Sequence, residues 1–389
     1  MKNGERQTKR TPPDTADVQP PTLRLVMIEM ERFKAAFKPG GVALMPFTVL
    51  VGRNGSGKST LIEALQWIDS TLRRDAIAAC TRYFGVHDLV NLRSRKSPLF
   101  FELHLEWGES DQDRLKYRVR VEEDQDGLTP RLTMETLWRG SGRAREVLIE
   151  GPESTDRLAL WRADDPATKP VRDYWQRAVF LRLSPSRLAA GSLARRASWE
   201  PLLDEEGQNL PALLNELDET QRETLIKAVQ SVLPDIEDVS VSKPSAGRNE
   251  RVHYSLDEKM PYRGRYGRSK FPIPAWMLSE GTRRLTAIFA LLSRRPQPTL
   301  LCIEEVENGL DPWAVVTLLG HLQSAADAGV QVIVTTHSPW LLDHVDMASI
   351  VQVRRVQGET RYETFADRDA IKAYASQVPA GTRYVQETK

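Results

Sequence analysis

The stretch Gly52-Arg53-Asn54-Gly55-Ser56-Gly57-Lys58-Ser59 matches the pattern G-x-x-x-x-G-K-[ST] and decides the fold. A strand-like apolar run at 43–51 leads directly into it, and residues 59–68 place apolar side chains on one helical face. In such a strand–loop–helix unit the glycines let backbone N–H groups turn towards phosphate oxygens, and the helix N-terminus adds partial positive charge. The stretch therefore predicts a phosphate-binding loop.

We predict that this loop binds ATP together with Mg²⁺. Lys58 is placed to reach the β- and γ-phosphates, and Ser59 offers its hydroxyl to Mg²⁺. The alternative, a glycine turn before an ordinary helix, is disfavoured by the strand before the loop and the helix after it. The residues expected to wrap the phosphates are Asn54, Gly55, Ser56, Gly57, Lys58, Ser59 and Thr60.

The bulk composition excludes several classes of protein. The chain has 389 residues, 54 basic and 53 acidic side chains, and a formal net charge of +1, which disfavours coating of nucleic acid by charge alone. Its two cysteines, Cys80 and Cys302, cannot form a disulfide framework, so we expect a reducing cytoplasm. No apolar run is long enough for a transmembrane helix, and residues 1–22 are expected to be a disordered lead-in.

The order of the remaining patterns predicts an α/β fold. Residues 99–150 form short alternating segments, typical of an antiparallel β layer. Residues 186–234 are mostly helical in pattern, with one further strand expected at 251–256. In the last third, apolar strands at 299–303 and 330–335 alternate with helices, which indicates a parallel sheet covered by helices.

Paired carboxylates end the first of these late strands, in the sequence Leu-Leu-Cys-Ile-Glu-Glu at 300–305. Glu304 is placed to hold Mg²⁺, directly or through water, and Glu305 to orient the attacking water. Acidic residues after a strand are often only solvated, so this motif gains weight from those around it. These are Val-Glu-Asn-Gly-Leu-Asp-Pro at 306–312, Thr-Thr-His-Ser-Pro at 335–339 and Leu-Ser-Glu-Gly-Thr at 278–282.

In their order along the chain, from the loop at 52–59 to the segment at 335–339, the five motifs resemble those of the ATP-binding-cassette ATPases, within the SMC, RecF and OLD-like branch. The resemblance covers 23–72 and 178–343, and residues 207–217 resemble the helical lobe of small bacterial members. It implies a head with a mixed or parallel core sheet, an antiparallel β layer and a helical lobe. The implied domains are an ATP-binding lobe at 23–183, a helical lobe at 184–275, and at 276–389 the part carrying the signature, Walker B, D-loop and switch histidine.

The resemblance also implies a role for each motif residue. Glu304 takes the metal-side Walker B position, Glu305 is the general base, and His337 contacts the γ-phosphate. Ser279 and Gly281 of the signature bind the γ-phosphate of another subunit's ATP, and the D-loop Asp311 lies at the dimer interface. These roles imply a head-to-tail homodimer that encloses two ATP molecules.

The sequence departs from the family pattern in two respects, a missing glutamine and a missing coiled-coil arm, and it leaves the adenine-stacking group open. The glutamine that ends the strand before the helical lobe is absent, and Ser184 is either a water or metal contact in its place or part of a structural turn. The group that stacks on adenine is also open, because Arg32, Phe33 and Lys34 lie in the right region but Phe33 fits the core better. No coiled-coil arm precedes the signature, and too few residues follow His337 for an appended nuclease.

These observations predict a soluble ATPase whose ATP-driven dimerisation controls a separate effector, such as a nuclease, reverse transcriptase or toxin, or the engagement of nucleic acid. The expected settings are antiphage defence and DNA repair. A basic cluster with Tyr262 and Tyr266 at 262–270 is either a solvated loop or a nucleic-acid contact. The alternatives are the energy subunit of a membrane transporter, disfavoured by the β layer and the missing glutamine, and a non-catalytic scaffold, disfavoured by the paired glutamates.

Overall fold

The computed structural model describes residues 23–94, 98–108, 114–124, 129–140, 145–162, 165–196, 200–242, 251–260, 269–367 and 378–387. The expected lead-in at 1–22 lies outside the described residues, as does most of the basic cluster at 262–270. In the part of the chain that is described, no helix is long and apolar enough to cross a membrane.

The described residues form the following strands and α-helices. The strands are β1 (Leu25–Glu31), β2 (Gly41–Ala43), β3 (Phe47–Val51), β4 (Phe100–Trp107), β5 (Leu115–Glu123), β6 (Pro130–Arg139), β7 (Glu146–Glu150), β8 (Ala178–Leu181), β9 (Ser192–Leu193), β10 (Ile236–Val241), β11 (Arg251–Val252), β12 (Tyr254–Lys259), β13 (Lys270–Pro274), β14 (Leu300–Ile303), β15 (Gln331–Thr336), β16 (Ile350–Val356) and β17 (Glu359–Thr364). The α-helices are α1 (Lys58–Arg73), α2 (Ala76–Thr81), α3 (Lys169–Gln176), α4 (Pro185–Ala189), α5 (Leu210–Glu216), α6 (Glu219–Gln230), α7 (Glu280–Ser293), α8 (Pro312–Asp327), α9 (Pro339–Leu342) and α10 (Ala380–Glu387).

The core sheet has the order β17-β16-β3-β15-β14-β8, and its strands are parallel except for the antiparallel β17. Every residue of β3, β8, β14 and β15 is buried, because both faces of the sheet are covered. The register pairs Val51 with Thr336 and Leu181 with Ile303. The carboxyl ends of β3, β15, β14 and β8 therefore meet along one edge, which positions the site.

The second layer is an antiparallel sheet of order β2-β1-β4-β5-β6-β7. Helix α1 is packed in the same apolar cluster as this sheet and one face of the core sheet, since Leu65, Phe101 and Ile333 all belong to it. The Trp67 ring meets the Phe101 ring edge-on at 5.2 Å between centroids. Burial on both sides explains why α1 is apolar on more than one face.

The opposite face of the core sheet is covered by α5, α6, α7 and α8, whose apolar side chains form a second cluster with β10 and β12. The predicted α/β class, with a mixed core sheet, an antiparallel layer and a helix-rich lobe, is confirmed. The region after α6 holds a three-stranded antiparallel sheet, β10-β12-β13, where the sequence predicted a single strand. The acidic pair Glu237 and Asp238 obscures the alternation of β10, and Pro272 and Pro274 obscure β13. The domain boundaries at 183 and 275 stay a prediction.

Candidate active site

The loop between β3 and α1 has the backbone that the sequence predicts. Gly57 caps α1 with a φ of 104° and no side-chain cap bond, so the first N–H groups of the helix stay available to an anion. A Cβ at Gly57 would lie 2.4 Å from Thr360 Oγ1, and its φ lies where side chains are rarely found. Position 57 therefore requires glycine for two reasons, the close approach of Thr360 and the positive φ.

Strand β17 holds the other side of this loop. Thr360 Oγ1 donates a 2.8 Å hydrogen bond to the Ser56 carbonyl, and the Tyr362 hydroxyl donates one of 2.8 Å to the Gly57 carbonyl. These two hydrogen bonds tie the carbonyls of the loop to β17. Sequence reasoning missed these two residues. Their only signal is strand alternation in 359–364, which does not say what the strand packs against.

Lys58 lies folded over the loop. Its Nζ donates to the Gly52 carbonyl at 2.8 Å and to the Arg53 carbonyl at 3.3 Å. Burial lowers the pKa of Lys58, and the nearby carboxylates of Glu305, Glu307 and Glu304 partly oppose that shift. Phosphate oxygens offer the same buried ammonium better acceptors than two carbonyls do. The lysine thus fits a triphosphate bound on this loop.

A cavity of about 490 Å³ lies over the loop. Most of the predicted site residues line it: Asn54, Gly55, Gly57, Lys58, Ser59, Thr60, Glu304, Glu305 and His337. Ser56 is the exception within the loop, since it is buried and lines a different cavity with Tyr384 and residues of β16. The predicted constellation is therefore brought together around one space.

Ser59 and Glu304 form the predicted metal pair. The Ser59 hydroxyl donates to Glu304 Oε2 at 2.8 Å. Burial raises the pKa of Glu304, while the Ser59 hydrogen bond and the charge of Arg182 lower it. Among the described residues no three His, Cys, Asp or Glu side chains gather as a metal cage. One hydroxyl and one carboxylate nevertheless fit Mg²⁺, which keeps several waters and takes its other ligands from phosphates.

Glu305 is held in an unusual backbone conformation. Its φ is 50°, in the left-handed region, which costs a non-glycine residue about 1–2 kcal/mol. Its N–H donates to Thr335 Oγ1 at 2.8 Å, and the Asn308 amide donates to its carboxylate. The exposed carboxylate, held by the Asn308 amide, lines the cavity.

His337 follows β15 directly, with its ring exposed and lining the same cavity. Its backbone N–H donates to Glu307 Oε1 at 2.7 Å, so the segment after β14 and the histidine loop are joined. Sequence reasoning did not single out Glu307, whose only signal is a third acidic residue in the Glu-Glu-Val-Glu run.

Ser279, Gly281 and Asp311 do not line this cavity. Ser279 caps α7 by accepting the Thr282 N–H at 3.1 Å, and Asp311 caps α8 by accepting the N–H groups of Trp313 and Ala314. A Cβ at Gly281 would lie 2.4 Å from the Gly309 carbonyl oxygen, so the two segments are in close contact. The segments that carry Gly281 and Gly309 therefore pack against each other, outside the nucleotide cavity.

The structure places the residues considered in place of the missing glutamine and as the adenine-stacking group. Arg182, the first residue after β8, lies beside Glu304, and Ser184 immediately precedes α4, with its Oγ 3.1 Å from Ser186 Oγ. Phe33 is fully buried against Phe101, which supports its core interpretation. Lys34 pairs with Glu63 at 2.6 Å.

Comparison with known proteins identifies both a family and a fold. The family model described as "AAA domain, putative AbiEii toxin, Type IV TA system" matches residues 47–343. The crystal structure of an SMC head bound to the C-winged helix domain of ScpA is 16% identical and covers 90% of this chain and 99% of its own, with a TM-score of 0.59. A second structure is an SMC head with an extended coiled coil, bound to the C-terminal domain of ScpA derived from Pyrococcus furiosus. It is 15% identical, with a TM-score of 0.59, and the match covers 91% of this chain and 99% of that structure's chain. No curated protein matches the sequence. At these identities the structures show a shared fold, as the sequence resemblance predicted.

Proposed function

Since this chain belongs to the family of AAA domains described as putative AbiEii toxin of type IV toxin–antitoxin systems, we propose that it binds and hydrolyses ATP in the cytoplasm and that its nucleotide state controls a partner. The observation that carries the proposal is the convergence of Lys58, Ser59, Glu304, Glu305 and His337 on one cavity above an uncapped helix N-terminus. Such a set suits phosphoryl transfer to water.

The chemistry follows from the position of each side chain. Lys58 exchanges its loop carbonyls for β- and γ-phosphate oxygens, and Ser59 with Glu304 would hold Mg²⁺. Bound Mg²⁺ supplies positive charge to the phosphate oxygens. Glu305 accepts a proton from the water whose oxygen bonds to the γ-phosphorus, while the bond to the β–γ bridging oxygen breaks and ADP leaves. His337, which follows the neighbouring parallel strand β15, would contact the γ-phosphate in the same cavity.

Glu305→Gln tests the catalytic part of this proposal. We expect a fall in turnover of about 10²–10⁴-fold, typical for loss of a general base, with ATP affinity kept. Glu146→Gln, on the edge strand β7, is the matched control and should turn over ATP normally. Turnover of Glu305→Gln at the wild-type rate would refute the role of base.

The signature and D-loop support a second part of the proposal, a head-to-tail homodimer. Ser279, Gly281 and Asp311 lie away from their own chain's nucleotide cavity, so a second copy is needed to bring them to an ATP. Exposed apolar side chains flank them: Trp313 is 83% exposed, Met277 70% and Trp276 59%. Large apolar side chains left open on a surface are typical of protein interfaces.

Light scattering on the Glu305→Gln protein tests the dimer, because that variant should retain its ATP. We expect a monomer without nucleotide and a dimer with Mg²⁺ and ATP. Adding Trp313→Ser should weaken the dimer without changing ATP binding at low protein concentration. Trp161→Ser, at a site 37% exposed in the segment after β7, is the control and should leave the dimer intact. A persistent monomer at saturating ATP would contradict the sandwich.

We further propose that the dimer controls a separate effector, such as a toxin, nuclease or reverse transcriptase, in antiphage defence or DNA repair, or engages nucleic acid. Support comes from the toxin–antitoxin description of the family. Co-purification with the product of the adjacent gene, with ATP and with ADP, tests this. Equal capture with both nucleotides would argue against nucleotide control, and mobility-shift assays with DNA and RNA test the nucleic-acid alternative.

A further inference from the structure

A second cavity, of about 460 Å³, adjoins the nucleotide cavity and shares Glu304 and Glu305 with it. It lies where the end of β8 meets the helical lobe, and three arginines line it: Arg82, Arg182 and Arg284. Carboxylates of Glu205 and Glu206 line it as well. A strongly charged space next to the reacting phosphate raises the question of what each cation does.

Two of the three arginines are committed to structural contacts. Arg82 pairs with Glu205 at 2.5 Å, and Arg284 donates to the Leu183 carbonyl at 2.9 Å and pairs with Glu280 at 3.3 Å. The Arg182 guanidinium, by contrast, is exposed and makes no hydrogen bond or ion pair with any residue in the described part of the chain. Among the three arginines that line this cavity, Arg182 therefore has the guanidinium that is available to a ligand.

The backbone of Arg182 is nevertheless firmly placed. Its N–H donates to the Glu205 carbonyl at 2.8 Å, and the Glu304 N–H donates to the Leu181 carbonyl at 2.8 Å. The β8–β14 register pairs Leu181 with Ile303, so the next residues, Arg182 and Glu304, lie side by side on strands about 4.8 Å apart. Glu304 is itself fixed against Ser59, at the start of α1. The guanidinium therefore starts beside the metal pair.

We propose that Arg182 is a catalytic residue that donates hydrogen bonds to a γ-phosphate oxygen of the ATP held by the same chain and stabilises the negative charge of the transition state. The proposal rests on the ATP hydrolysis proposed above. An arginine has donors only, so it cannot ligate Mg²⁺ as the amide oxygen of a glutamine at this strand end can. It instead matches phosphate oxygens in charge and geometry.

The arrangement favours a role in the transition state over a role in binding. Lys58 and the loop N–H groups already neutralise the ground-state triphosphate, whereas charge on the γ-phosphoryl oxygens and the leaving group shifts during the reaction. The Arg182 cation lies beside Glu304 and Glu305, where this change of charge on the γ-phosphoryl group would take place. A structural arginine at this position would be paired with Glu205 or Glu206, as Arg82 is with Glu205.

The test compares Arg182→Ala and Arg182→Lys with Arg187→Ala. Arg187 is a matched control, because it lies in the nearby helix α4, pairs with Glu206 at 3.2 Å and does not line the cavity. For Arg182→Ala we expect kcat to fall about 10²–10³-fold. The Kd for Mg²⁺–ATP should change little, and trapping of ADP with aluminium fluoride, which mimics the transition state, should be lost. Arg182→Lys should recover part of both, and Arg187→Ala should equal wild type.

The outcomes separate this inference from the hydrolysis proposal. Wild-type protein that shows no ATP turnover would contradict the proposed function itself. If wild type turns over and Arg182→Ala keeps kcat within twofold, the inference about Arg182 alone is wrong. Equal losses of ATP binding and of aluminium-fluoride trapping would also overturn it, because they indicate a ground-state or structural role.

Discussion

Thr360→Val is the most direct test of how the phosphate loop is shaped. Thr360 is buried, and its Oγ1 donates at 2.8 Å to the carbonyl of Ser56, a residue 304 positions away. Valine has nearly the same shape and suits a strand, so the substitution removes the hydrogen bond and little else. The Ser56 carbonyl then loses its partner from β17.

The expected magnitude follows from that loss. A buried carbonyl left without a donor is worth about 1–3 kcal/mol. Where the penalty falls on the loop conformation that receives ATP, it raises the Kd for ATP by roughly 5- to 150-fold, since about 1.4 kcal/mol is tenfold in affinity. Tyr362 still holds the Gly57 carbonyl, so the loop keeps one of its two anchors.

The assay is titration of Mg²⁺–ATP by calorimetry, with denaturant unfolding in parallel. Thr71→Val is the control, because Thr71 is also buried and its Oγ1 donates at 2.8 Å to the Trp67 carbonyl within α1. The helix ladder already supplies that carbonyl with a donor, so ATP affinity should not change. The reasoning is refuted if Thr360→Val binds ATP as tightly as wild type, or if Thr71→Val weakens binding as much.

Three other substitutions give independent tests. Gly281→Ala places a Cβ 2.4 Å from the Gly309 carbonyl oxygen, so we expect a loss of about 1–3 kcal/mol in unfolding free energy and weaker ATP-dependent dimerisation by light scattering. Gly320→Ala, exposed in α8 with no atom within 4 Å of the new Cβ, should instead stabilise by about 0.5–1 kcal/mol in denaturant unfolding. Burial raises the pKa of Glu135 from 4.5 to about 7, despite opposing hydrogen bonds from Ala159, Tyr117 and Leu160. The folded state thus keeps a proton that the unfolded chain releases, so stability should fall between pH 4.5 and 7, and Glu135→Gln should flatten that slope in thermal melts. An unchanged slope would contradict the burial argument.

The sequence predicted the parts of the site that lie at strand ends. The motifs at 52–59, 300–305 and 335–339 each lie at the carboxyl end of an apolar strand, and parallel strands bring these ends to one edge. The convergence of Lys58 and Glu304 was therefore predicted from the strand ends together with the family resemblance that the motifs carry.

The parts it missed depend on contacts between distant segments. Strand alternation puts Thr360 and Tyr362 on one face of β17, but only the sheet order shows that this face meets the loop. Glu307 reads as a surface acid until its bond to the His337 N–H is seen. Likewise, the availability of the Arg182 guanidinium is recognised only once the contacts of Arg82 and Arg284 are known.

The contacts from Thr360 and Tyr362 to the loop also bear on how the protein is made. Synthesis delivers the loop about 300 residues before the strand that shapes it, since the two hydrogen bonds span 304 and 305 positions. A nascent chain that has not yet reached 359–364 therefore carries the complete motif without the carbonyl anchors that orient it. We therefore expect capture of ATP to be a late event, after β17 has joined the core sheet. A chain cut short by a frameshift or by a protease before this strand would keep the phosphate-loop motif, and we expect it to have a lower affinity for ATP.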